Sequence, residues 1–171
     1  MRYACEHKPM RYSLSGRILP PDANGVIYWH IENFTEDQEK HKTITAFHGA
    51  FDILADYMWP ITFRSSKERG DITIRFRLNN DEDLPEPFDE GVLAYAFLPG
   101  GSRDGEVYLN DEYDWKEMLS KYDLLTVFLH EVMHCLGFGH SEVEEALMFW
   151  QYTSARTDLH EDDIRAINAS K

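Results

Sequence analysis

One run constrains this chain more than any other: His130-Glu131-Val132-Met133-His134-Cys135-Leu136-Gly137-Phe138-Gly139-His140, an HExxHxxGxxH pattern. His130 and His134 are four residues apart, so on a helix they stand one turn above each other on one face. Two imidazoles so placed can share a tetrahedral zinc ion, which takes nitrogen ligands at about 2.0–2.1 Å. Gly137 lets the chain leave the helix, because glycine accepts the positive φ of a helix end at little cost. His140 can then return as a third ligand. The fourth position is left for water, which marks a catalytic zinc and not a structural one. Glu131 adjoins a ligand but points to a different side, where it can take a proton from that water.

The residues around the run support a helix. Leu125, Phe128, Leu129, Val132 and Leu136 recur at helical spacing within an arc of roughly 100°. His130 and His134 fall opposite this arc, so one side is expected in a core and the other in a cleft. A bare HExxH also arises by chance, with solvated histidines; the glycine and third histidine at their offsets weigh against that here. Cys135 lies at the edge of the apolar arc, away from the histidine side, and reads as a buried free thiol.

This stretch resembles the metzincin zinc proteases, and its surroundings resemble the catalytic domain of the matrixins, the matrix metalloproteinases. Ser141 follows His140 directly, as in that family, and Ala146-Leu147-Met148 is similar to its Met-turn, with Met148 beneath the zinc ligands. Leu159 to Ile164 resembles the start of the family's last helix, and Gly91 to Gly100 its upper edge strand. The likeness runs from about Val26 to Ile167.

The rest of the chain fits this frame. A length of 171 residues suits one domain. Residues 1–25 read as an irregular N-terminal arm broken by prolines and glycine, and residues 26–171 as the catalytic domain. Strands are expected at Val26–Ile31, Ile61–Phe63, Asp71–Phe76, Gly91–Phe97 and Val107–Leu109. A helix is expected from Glu39 to Tyr57, with Ile44, Phe47, Phe51, Leu54 and Met58 as its core stripe. The histidine helix opens near Lys121 or Asp123, and a last helix spans Glu161 to about Ala169, with acidic residues favouring its N-terminus. The implied architecture is α+β and metzincin-like: a twisted, mostly parallel five-stranded sheet, two helices above a zinc cleft, and a C-terminal helix in a small lower subdomain.

A formal net charge of −14 disfavours nucleic acid and anionic membrane surfaces as partners. No apolar run reaches the ~18–20 residues of a membrane helix. The first residues lack the apolar core of a signal peptide. Matrixins are usually secreted with an inhibitory pro-segment, and Cys5 lies outside that segment's motif. The chain is therefore expected to be a mature-domain piece or to lack such latency. An extracellular, monomeric protein is the expectation from resemblance alone.

The resemblance implies peptide-bond hydrolysis of protein or peptide substrates, with Glu131 as general base. It places Leu93 and Ala94 where backbone pairs with an extended substrate. It makes Tyr152 a wall of the specificity pocket. Phe149 and Trp150 stand where the family often has tyrosine and proline, which leaves the pocket's shape open. Matrixins also carry a structural zinc and calcium ions. Tyr95 and Tyr108 replace histidines of that second zinc site, so one catalytic zinc and no structural zinc is expected. Asn110 and Tyr113 replace calcium-binding carboxylates. Asp81, Asp83, Asp89 and Glu90 could still bind calcium, with Asp89 the leading candidate, or be a solvated acidic loop. The competing readings are a catalytically silent binding module that keeps the fold, and a processing protease or toxin specific for one partner.

Overall fold

A computed structural model describes residues 16–116 and 121–171. Cys5 and the first fifteen residues of the arm lie outside them. The elements in order are β1 (Val26–Ile31), α1 (Lys40–Met58), β2 (Thr62–Ser65), β3 (Ile72–Arg77), β4 (Ala94–Ala96), β5 (Glu106–Asn110), α2 (Leu124–Leu136) and α3 (Glu161–Ala169). The strands form one sheet in the order β2-β1-β3-β5-β4. All neighbours are parallel except β4, which runs antiparallel to β5 at the sheet edge. This is an α+β fold of the expected kind.

Alternation along each strand divides the sheet into two faces. Ile27 and Trp29, Ile72, Ile74 and Phe76, Ala94 and Ala96, and Val107 and Leu109 all turn into the main core. There they meet α1 through Trp29–Phe51, with centroids 4.9 Å apart, and Phe76–Phe47, 6.2 Å apart, and α1 meets α2 through Phe47–Phe128 at 4.1 Å. The opposite face carries a second cluster: Tyr95, Tyr108, Phe88 and Val92, with Leu84 and Phe97 packed against it. Thus the acidic loop before β4 is tied to the sheet by Phe88 and Leu84.

Several boundaries shift from expectation. The second strand is Thr62–Ser65, not Ile61–Phe63, and the fourth is only Ala94–Ala96, not Gly91–Phe97. The buried stripe of α1 is Thr43, Phe47, Ala50, Phe51, Leu54 and Met58; Ile44 lies just past its edge and is 36% exposed. On α2 the one-sided picture is corrected. Every residue from Thr126 to Leu136 is buried, and Leu125, placed in the core arc, is only half-buried. The loop that follows wraps the histidine side, and no periodic pattern announces a cover made of loop.

Two details hold α2 in place. Asp123 caps its start by accepting the Thr126 N–H at 2.8 Å. Gly137 ends it at φ 108°, with its N–H on the His134 carbonyl and the Phe138 N–H on Met133. A Cβ at Gly137 would also overlap the Arg17 carbonyl, so the described end of the arm lies directly on this turn. None of the described helices is long and apolar enough to cross a membrane.

Candidate metal centre

His130 and His134 project from the middle of α2, and His140 returns to them after the glycine turn. Nε2 of His134 lies 3.1 Å from Nε2 of His130 and 3.2 Å from that of His140. A tetrahedral zinc with nitrogens at 2.0–2.1 Å would set them about 3.3 Å apart. The three form the one group of potential ligands of this kind among the described residues.

Their protonation follows from their partners. Nδ1 of His130 lies 2.8 Å from the Leu147 carbonyl, and Nδ1 of His134 lies 2.7 Å from that of Phe138. A carbonyl can only accept, so both Nδ1 atoms carry hydrogen and both Nε2 atoms present lone pairs. Acceptor then faces acceptor at 3.1 Å, which a shared cation relieves. Burial, and then the two neighbouring histidines, hold His130 well below the ordinary imidazole pKa. It is therefore neutral, as a metal ligand must be. The donor set fits zinc.

Glu131 is fully buried, and neither carboxyl oxygen has a hydrogen-bond partner among the described residues. Burial alone pushes its pKa well up. Buried polar groups in native proteins are nearly always satisfied. Glu131, next to His130 in the chain, is an exception that the described residues leave open.

Met148 is buried in the core. The turn that carries it is bound to α3 by a residue that sequence reasoning assigned only to helix electrostatics. The Asp163 carboxylate accepts N–H bonds from Leu147 (2.8 Å), Met148 (3.0 Å) and its own cap residue His160 (2.9 Å). Next to it, Asp162 accepts the Ser141 hydroxyl at 2.6 Å. Thr126 was also missed. Its hydroxyl donates to the Asp123 carboxylate at 2.6 Å and accepts the Arg156 N–H at 2.8 Å, fastening the segment at Arg156 to α2. Apart from the bonds within the two helix caps, no local pattern marks these contacts, since each joins residues 15 or more apart.

The other expected site residues separate. Ala94 begins the edge strand and Leu93 precedes it; both are buried. Phe149 bridges to Ser141, and its ring lies tilted at 51° to that of Trp150, which is 40% exposed. Tyr152 accepts the Asp123 N–H. It lines a cavity of about 920 Å³ with Leu124 and Leu125, and none of the three histidines borders that cavity. In the acidic loop, Asp83 accepts from Arg77 at 2.9 Å, and Asp89 is exposed. Tyr95 and Tyr108 are filled differently from metal ligands. Their hydroxyls donate to the Glu86 carbonyl and the Glu106 carboxylate, both within 2.9 Å.

Comparison with known proteins gives a consistent picture. The family model described as Matrixin matches residues 22–170. Matrix metalloproteinase-18 of Xenopus laevis is 37% identical over 145 residues, covering 81% of this chain and 31% of that protein. Interstitial collagenase of Oryctolagus cuniculus is 37% identical over 145 residues, covering 82% and 31%. Stromelysin-1 of Mus musculus is 33% identical over 150 residues, covering 84% and 31%. The chain thus spans about a third of the length of these relatives.

Proposed function

The chain belongs to the matrixin family, and from that premise we propose that it is a zinc-dependent endopeptidase that hydrolyses peptide bonds in protein substrates. The observation that carries this is the convergence of three imidazoles, with the buried, unpartnered Glu131 following the first of them in the chain. His130, His134 and His140 would hold the ion. A zinc ion bound there lowers the pKa of a water toward ~7 and polarises a carbonyl.

The chain's own residues do the remainder. Glu131 takes the proton of the attacking water and passes it to the leaving amine, so no serine or cysteine nucleophile is needed. The backbone of Leu93 and Ala94 holds an extended substrate by strand addition at the edge beside β4. Phe149 and Tyr152 shape the pocket for the adjoining side chain, and Met148 floors the ion site.

One zinc per chain belongs to this reading. The Tyr95–Tyr108 cluster serves as the packing element where relatives would use a second ion. Calcium at Asp89 would have to do without Asp83, whose carboxylate is paired with Arg77. The proposed setting is extracellular, acting as a monomer.

Cleavage of an unfolded protein tests the proposal. The wild-type chain should cleave it and lose activity to a chelator, and Glu131→Ala should retain zinc yet not cleave. Cleavage by Glu131→Ala at the wild-type rate would overturn the assignment of the base.

A further inference from the structure

The two Nδ1 hydrogen bonds at the centre differ in what holds them. His134 donates to Phe138, four residues on, whose position is fixed by the glycine turn through its N–H bond to Met133 at 3.0 Å. That support is local and travels with α2. His130 donates to Leu147, seventeen residues on, in an irregular loop. The peptide that carries this carbonyl is held through its N–H groups. Leu147 N–H and Met148 N–H flank the Leu147 residue, and both end on Asp163.

We propose that Asp163 is a positioning residue for the metal: through the Leu147 peptide it fixes the ring orientation and tautomer of His130. The assignment rests on the reading of the three histidines as the ion's ligands. Asp163 is only 2% exposed, and its third bond, to the His160 N–H, locks it to the first turn of α3. Its two oxygens thus tie a helix from the end of the chain to one ligand of three. A carboxylate suits the place because only an acceptor can serve two converging N–H groups. The amide of asparagine would turn a donor toward one of them. The neighbouring Asp162 braces the same loop through the Ser141 hydroxyl and not through the peptide that meets His130. It therefore supplies a control on the same helix turn, likewise buried.

The role makes a prediction that general support of the fold does not. Loss of Asp163 should act on His130 and spare His134. Metal partners of this outer kind typically change affinity by 10–100-fold. The test uses cobalt(II) as the probe, with wild type, Asp163→Asn and Asp162→Asn compared well below their melting temperatures. Three readings are taken: the visible cobalt spectrum, the rate of cobalt release to a chelator, and the imidazole Nδ1–H resonances of the zinc-loaded protein. Asp163→Asn should shift the spectrum, speed release by about tenfold or more, and move the His130 resonance while leaving that of His134 in place. Asp162→Asn should leave all three near wild type. If Asp163→Asn does not fold, Asp163→Glu takes its place, since the added methylene must displace the Leu147 carbonyl while keeping the charge. A folded variant at Asp163 with the wild-type spectrum and release rate would overturn the assignment. So would equal shifts of both resonances. Failure of the wild-type chain to bind cobalt would instead refute the metal centre itself.

Discussion

Tyr95 stands directly opposite Tyr108 across the β4–β5 pair, with ring centroids 5.2 Å apart and an angle of 26° between the rings. The pair lies on the sheet face away from the helices, and Phe88 and Phe97 close around it. Burial raises both phenol pKa values, so neither ring offers a phenolate to a cation at neutral pH. Atomic analysis of the purified chain should therefore count one zinc. Tyr108→Ala should cost about 3 kcal/mol in a urea melt, as for other large buried rings, without lowering the zinc count. Two zincs per chain would contradict this.

The base is separable from the ligands. Glu131→Gln keeps the volume and burial of the side chain but removes its proton affinity. Turnover should fall by about 10²–10⁴-fold with zinc retained. His134→Ala should lose the metal as well. Parallel metal analysis and peptide-cleavage rates on both variants distinguish these results.

Asp111 gives a pH-dependent effect of known sign. One of its oxygens is buried without a partner. Burial, followed in smaller measure by Asp37, Glu36 and Asp81, raises its pKa above 3.8, while a bond from Thr35 works the other way. The folded state thus holds this proton more tightly than the unfolded chain. The stabilising contribution is complete below the unfolded value of 3.8 and is lost as pH rises through the folded one. Asp111→Asn should therefore be more stable than wild type near neutral pH and indistinguishable from it in strong acid. Denaturant titrations across that range would show the gap opening as pH rises; a gap that closed would refute it.

Gly137 is subject to two constraints at once, a left-handed backbone and the Arg17 carbonyl in the space a Cβ would need. Gly137→Ala should destabilise the fold by about 1–3 kcal/mol and weaken zinc retention, because His140 follows the turn. Thermal melting with and without chelator tests this. A melting curve unchanged by the substitution would show that the arm does not bear on the turn.

The parts of the centre legible in the chain are those written in local spacing. His130, His134, Gly137 and His140 lie within one helix end and one turn, so their geometry follows from pitch and a glycine. The sheet was legible for a similar reason, since alternation in β3 and the apolar run of β1 declare buried strands. Strand ends were not. Gly91 to Leu93 looks like strand, yet the ladder of β4 begins only at Ala94, because pairing depends on where β5 lies and not on composition. Asp163 was hidden differently. An acidic residue at a helix start already has a sufficient local reason, the helix dipole, and nothing nearby reveals that its oxygens serve a loop sixteen residues upstream. The full burial of α2 escaped notice for the same cause.

The Arg17 carbonyl rests on Gly137, and Leu19 reaches the Leu136 carbonyl at 3.4 Å, so the leading segment presses on the exit of the histidine helix. The trailing helix grips the opposite shoulder of the same cradle. Front and rear of the polypeptide are thereby mechanically interdependent. A cut or graft at Arg17 to Leu19 or within α3 will be felt at the same three rings, far though it lies from them in the sequence.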